Sequence, residues 1–309
     1  MNLKKIYVLA FSLAVLLWSC KKGETLTNRE DLKFEETFSP PADADPAVKE
    51  LYQNHNVWMR MDFKDWKEVT NAILDSDPTN RFGVEKIADE DRQSAILYTK
   101  TLMSGVAPKF SKSYFPLELF FVKSYGKGYF AKDIKRIGRS RLVVCWPNKM
   151  KDALPVLNPE NHYYQDSVLS TFIWAELSSM VTLRIPEPVK EFADAGKAYD
   201  NGAAADKIKK EFDKDKDAEK RDAAYALLAA SGGFIESSGA TSFENDFSSW
   251  MRLLALESKE NIKKKYLDNS PARAKKYEAF VRYLHSQGWD IQAMGNTYRA
   301  KFDAYKASL

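Results

Sequence analysis

The sequence predicts an α+β fold whose strands come first and whose helices follow. Leu117-Glu118-Leu119-Phe120-Phe121-Val122 and Ser140-Arg141-Leu142-Val143-Val144 are short runs of β-branched, aromatic and aliphatic residues, which suit a buried pleated surface. From residue 167 onward the chain reads as mostly helical. Strands grouped ahead of helices, instead of alternating with them, argue for α+β elements around one shared core.

Each element has its own signal. Asp45-Pro46 reads as a helix start, because aspartate caps and proline lacks only an N–H that would find no partner there. Residues 57–63 alternate and predict a short strand. Val84, Ile87, Ile96 and Leu97 with charges between them predict an amphipathic helix over 84–102, broken by 108–114. Gly126-Lys127-Gly128 predicts a turn and falls well short of a phosphate loop. Residues 167–182 predict an apolar helix. The segment 195–220, rich in Gly, Ala, Lys and Asp, predicts a solvated helical or loose excursion from the core. Helices are expected again over 221–230, 243–257, 271–287 and from Trp289 onward. No internal repeat is visible.

The first residues follow a different logic. Lys4 and Lys5 precede an apolar run from Ile6 to Trp18, which stops at Ser19-Cys20. The run is shorter than the about 20 residues a membrane-crossing helix needs, and it suits a signal-peptide core. Leu17-Trp18-Ser19-Cys20 resembles a lipobox, and polar sequence begins at once with Lys21-Lys22-Gly23-Glu24. The expected organisation is a lipoprotein signal over 1–19, lipid attachment at Cys20, a flexible tether over 20–45 and a folded domain over 46–309. Several acyl chains, at about 0.8 kcal/mol per buried methylene, would make the anchor lasting. A plain signal beside an incidental cysteine is the alternative.

Charge and motif content exclude several classes. Lys and Arg total 47 against 43 Asp and Glu, and the two signs are interspersed, which argues against nucleic acid as a partner. Cys145, the other of the two cysteines, lies in a strand run and predicts a buried thiol with no disulfide. The three histidines, His55, His162 and His285, are scattered. No His-x-x-x-His, Cys-x-x-Cys or Gly-x-Ser-x-Gly occurs, so the residues alone predict no catalytic set.

Further segments point to a family. They are Leu51-Tyr52-Gln53-Asn54, the strands around 117–122 and 140–146, and Gly233-Phe234-Ile235-Glu236-Ser237-Ser238-Gly239-Ala240. Glu244-Asn245-Asp246-Phe247-Ser248-Ser249 follows, then Lys276-Tyr277, Tyr283 and Trp289-Asp290-Ile291. In this order they resemble the zinc-metallopeptidase lipoproteins of Bacteroidetes that accompany TonB-dependent SusC/SusD-type importers. The resemblance runs from about residue 46 to the C-terminus and implies a zincin-like fold, with a small N-terminal sheet and a mostly helical C-terminal half.

In that family a helix reading Thr-Ile-x-His-Glu-Phe-x-His puts two imidazoles one turn apart beside a glutamate that activates water. The matching stretch here is Thr171-Phe172-Ile173-Trp174-Ala175-Glu176-Leu177-Ser178-Ser179. Glu176 falls at the general-base position, while Ala175 and Ser179 fall at the ligand positions. Asp246 is retained from the later acidic segment, and Ser249 stands at the family's final glutamate. Alanine offers no donor and a neutral hydroxyl is a poor zinc ligand, so neither metal nor cofactor is expected at this vestigial set.

The implied role is a catalytically inactive metallopeptidase-like lipoprotein of the outer membrane, acting as a structural or interaction subunit of a TonB-dependent SusCD-type complex. Trp58, Trp66, Trp174 and Trp250 are candidates for a partner or ligand surface unless the core claims them. Three alternatives stay open. One is a hydrolase with non-standard ligands, in which His162 folds back toward Glu176 and Asp246. Another is calcium or magnesium held by Glu176 and Asp246. The third is a lipoprotein that binds a peptide or glycan without cleaving it. Lys21-Lys22-Gly23-Glu24 offers a single acid as an export tag, so the membrane face is left open.

Overall fold

The structure is a computed structural model that describes residues 38–70, 83–147, 162–185, 189–215, 218–236 and 241–309. The expected signal, Cys20, the tether up to residue 37 and residues 237–240 lie outside the described residues. Among the described residues the strands all precede residue 146 and, apart from the helix Asp89–Ser104, the long helices follow residue 162, so the α+β expectation holds. Among the described residues no helix is long and apolar enough to cross a membrane.

Residues 41–44 make a turn and Asp45 then caps α1 (Pro46–His55), accepting from Ala47 N at 2.7 Å. Next come β1 (Trp58–Arg60), α2 (Trp66–Thr70), β2 (Val84–Lys86), α3 (Asp89–Ser104) and α4 (Pro108–Tyr114). The sheet continues with β3 (Glu118–Tyr125), β4 (Ile134–Ile137) and β5 (Arg141–Cys145). β3 lies between β1 and β5, parallel to both; β4 runs antiparallel to β5 at the edge, and β2 pairs antiparallel with the far end of β3.

The side-chain period of two sends alternate residues of β3 and β5 to opposite faces. Leu119, Phe121, Leu142 and Val144 join the main core with the helices. Phe120, Val122, Val143 and Cys145 join a smaller core with Phe63 and Val69. There are thus two apolar clusters where one shared core was expected. Both faces of the central strands are covered, which is why these runs read as continuously apolar.

The helical half comprises α5 (His162–Gln165), α6 (Ser167–Thr182), α7 (Lys190–Asp194), α8 (Gly202–Asp215), α9 (Ala218–Gly232) and α10 (Phe243–Leu256). After α11 (Lys259–Ile262) and a π turn at Lys263–Leu267, α12 (Pro271–Ser286) and α13 (Ile291–Ala307) complete the chain. Side-chain caps start four of them: Asp166, Ser242, Ser270 and Asp290 each accept from a backbone N–H of the first turn. Trp174, Trp250 and Trp289 are fully buried, and Trp174 stacks on Trp289 at 6.1 Å.

Several local expectations need correction. Residues 84–86 pair with β3 as a strand, and the helix begins only at Asp89. Residues 108–114 are a helix, because Pro108 occupies its first turn and starts it. The excursion over 195–220 is not wholly solvated: Phe192 before it and Tyr199 within it pack against Phe243, and Tyr199 also against Phe234. Trp174 and Trp250 belong to the core, which removes them as a partner surface.

Candidate functional site

Helix α6 carries Ala175, Glu176 and Ser179, the residues that the resemblance places at zinc-helix positions. Asp166 caps it, accepting from Leu169 N at 2.8 Å, and Leu169, Ile173, Trp174, Leu177, Met180 and Val181 anchor its inner face. Ala175, Glu176 and Ser179 are left half-buried on the side that faces the sheet edge. There β4 supplies Arg136. Its Nη1 donates to Ser179 Oγ, and its Nε stands 3.9 Å from Glu176 Oε2. The Arg136 and Glu176 side chains are each 36 % exposed, so their attraction is screened and modest. What matters is placement, since a guanidinium that only donates lies against both Glu176 and Ser179.

The other two members of the set are elsewhere engaged. Asp246, near the start of α10, is buried and accepts from Lys276 Nζ of α12 and from Tyr199 OH at 3.0 Å. Ser249 Oγ donates back to Asn245 O at 2.7 Å within its own helix. Among the described residues no hydrogen bond or ion pair joins Asp246 to Glu176 or Ser179. The structure therefore brings Glu176 and Ser179 together under Arg136 and gives Asp246 to a second, buried centre.

Burial pushes the Asp246 carboxyl above the ordinary carboxylate range, against the pull of Lys276. Burial likewise pushes the Lys276 ammonium below its ordinary value, opposed by Asp246. Phe192, Tyr199 and Phe234 surround that ammonium, with ring centroids 5.0, 5.0 and 4.3 Å from Nζ.

His162 does not reach Glu176 or Asp246. It is buried against Trp146 (ring centroids 4.6 Å apart) and Tyr98, with Nε2 3.7 Å from Asp166 Oδ2. His55 is buried too, its Nδ1 2.9 Å from Ser111 Oγ, and His285 is exposed. The hydrolase arrangement built on His162 is thereby corrected: the short α5 directs that ring into the core beneath α6.

The residues present do not fit zinc. Ala175 has no donor atom, the Ser179 oxygen is held by a guanidinium, and the cation already facing Glu176 is Arg136. Among the described residues no three His, Cys, Asp or Glu side chains converge, so calcium or magnesium between Glu176 and Asp246 lacks its oxygens as well. Among the described residues, one open cleft of about 320 Å³ is bordered by Tyr163, Tyr164 and Asp290, and another of about 310 Å³ by Lys123, Asp133 and Cys145. Neither includes Glu176 or Asp246.

Sequence reasoning missed Arg136, Lys276 and Tyr199 as members of these centres. For Arg136 a signal existed, since Gly138 at positive φ between Ile137 and Arg141 marks a hairpin that would have placed β4 beside β5.

No family model matches the chain, and no curated protein matches it either. Among solved structures, the chain is similar to a proposed zinc-binding metallo-peptidase from Bacteroides caccae ATCC 43185. The identity is 11 % and the TM-score 0.45, covering 86 % of this chain and 97 % of that one.

Proposed function

We propose that this protein is a non-hydrolytic lipoprotein of metallopeptidase-like build, zincin-like in descent, that serves as an interaction subunit at the outer membrane. The observation that carries the inactive reading is Arg136, whose guanidinium bonds Ser179 and faces Glu176 where a peptidase of this type needs a metal and its ligands. A carboxylate paired with a guanidinium has no bound water of lowered pKa to activate, and metal-free water is a poor nucleophile near neutral pH. The lipobox-like Leu17-Trp18-Ser19-Cys20 supports lipid attachment at Cys20. The ordered resemblance from residue 46 onward supports a TonB-dependent SusCD-type complex as the partner.

The test has two arms. The purified full-length protein is dialysed against zinc, measured for bound metal and incubated with a mixed peptide library. Less than stoichiometric zinc and no new peptide termini are expected; either zinc at one equivalent or cleavage that Glu176→Ala abolishes overturns the inactive reading. In the second arm, chemical cross-linking in intact outer membranes is followed by detergent extraction. Covalent adducts with a transporter-sized membrane protein are expected, and an uncross-linked protein overturns the subunit role.

A further inference from the structure

The Asp246–Lys276 centre is built unlike an ordinary ion pair. Both side chains are 0 % exposed, so neither can reach substrate or solvent. The lysine stem is hemmed in by backbone: a Cβ at Gly196 would meet Lys276 Cε at 2.4 Å, and one at Gly233 (φ +82°) would meet Cδ at 3.1 Å. Three aromatic rings close the remaining sides. Asp246 Oδ2 takes both the lysine and the Tyr199 hydroxyl, whereas buried Oδ1 has no hydrogen-bond partner. The Trp250 indole N–H lies beside that carboxyl but is aimed at Gly233 O, at 3.2 Å.

We infer that Asp246 and Lys276 are a self-modification site, at which the two side chains condense into an amide that ties α10 to α12. The chemistry balances without any co-reactant. Lys276 first returns its proton to Asp246 Oδ2, giving an amine and a carboxylic acid. The amine lone pair attacks Cγ, the C–N bond forms, and negative charge develops on Oδ1 beside the Trp250 N–H. The nitrogen then loses a proton, relayed by the Tyr199 hydroxyl to Oδ2, and the Cγ–Oδ2 bond breaks to release one water.

A dry aromatic site favours this sequence because it disfavours both charges. In water the ammonium–carboxylate state opposes condensation. Here burial pushes the acid up and the amine down, toward the neutral pair that reacts. Tyr199 keeps its proton, since burial raises its hydroxyl well above the usual phenol value. The inference stands apart from the fate of Glu176, whose surroundings share no bond with this centre.

Peptide mapping of the denatured full-length protein tests it. A linked pair of tryptic peptides carrying Asp246 and Lys276, lighter than their sum by one water, is the expected result. Tyr199→Phe should slow its appearance by about 10²-fold, the usual contribution of a proton relay. Lys276→Met should abolish it; if that variant fails to fold, the wild-type map still decides. Unlinked Asp246 and Lys276 peptides after prolonged incubation, or a lost water that maps elsewhere, overturn the inference.

Discussion

Arg136 and Glu176 face one another across the gap between the edge strand and α6, Nε to Oε2 at 3.9 Å, and the arginine also holds Ser179. The cation that stands opposite the glutamate is thus a side chain. Imidazoles placed at 175 and 179 should give useful metal affinity only once that side chain is gone. Ala175→His with Ser179→His is expected to bind zinc weakly while Arg136 remains, because a fixed guanidinium repels a dication. Adding Arg136→Ala should tighten binding by about tenfold or more. Competition titration against a chromophoric chelator measures both, and equal affinities would mean that Arg136 does not compete for the position.

The cysteines give a simple reading of the N-terminus. Cys145 Sγ is buried and donates to Lys132 O at 3.2 Å, and burial pushes its thiol up to about 11. A thiol with so little thiolate near neutral pH reacts slowly. Native protein is thus expected to show no fast reaction with a disulfide reagent. After denaturation a membrane-extracted sample should titrate one thiol when Cys20 is acylated and two when it is not.

Glu118 sits where three strands meet. It is fully buried, and its two oxygens accept from Arg60 of β1 and Arg141 of β5. Glu118→Ala would remove the carboxylate that two nearly buried guanidinium groups share, leaving Arg60 only the partly exposed Glu68 carboxylate and Arg141 only the Glu68 carbonyl. A loss of about 3–5 kcal/mol in denaturant unfolding is expected, as for other broken buried pairs. The exposed pair Lys100–Glu50, 3.1 Å apart, is the control, and Lys100→Ala should change stability by less than about 1 kcal/mol.

These relationships show which parts of the fold a sequence displays. β3 and β5 were legible because both their faces are buried, so every residue is apolar and the run stands out. Helices α6, α10, α12 and α13 were legible as helical runs of apolar residues. β2 was not, because Val84 and Ile87 are three apart and mimic a helical step, while the pairing with Tyr125 that makes them a strand is distant in sequence. Pro108 misled in the same way, since proline both breaks helices and begins them. At the candidate site the sequence displays Ala175 and Ser179, but the arginine that bonds Ser179 comes from 43 residues away. Asp246 was singled out for the wrong neighbours: its partner is Lys276, set on another helix by tertiary packing alone.

His55 supplies a pH dependence. Its ring is buried beside Ser111, and burial first, then the nearby Lys112 charge, lowers its pKa from 6.5. The unfolded chain therefore binds the proton more readily than the folded one. The stabilisation is complete above pH 6.5 and is lost as pH falls from there toward the folded value. The slope cannot exceed about 1.4 kcal/mol per pH unit for one proton. Urea midpoints across this range should fall with pH for the wild type and flatten for His55→Gln; parallel curves would assign the dependence to another group.

Gly295 and Gly288 are glycines for different reasons, and substitution separates them. Gly295 lies inside α13, where alanine would ordinarily add about 1 kcal/mol of helix propensity. A Cβ there, however, would come within 2.0 Å of Leu254 O and 2.7 Å of Glu257 O, backbone atoms at the end of α10 that cannot rotate away. Gly295→Ala must push the two helices apart and should cost about 1–3 kcal/mol net. Gly288 has open space around its Cα but a φ of +80°, so its constraint is the left-handed backbone. Gly288→Ala should cost about 1–2 kcal/mol, and Gly288→Asn less, because asparagine tolerates that region. If both alanine variants lose stability equally while Gly295→Ala keeps native packing by near-ultraviolet circular dichroism, the close approach of α13 to α10 is not what fixes Gly295.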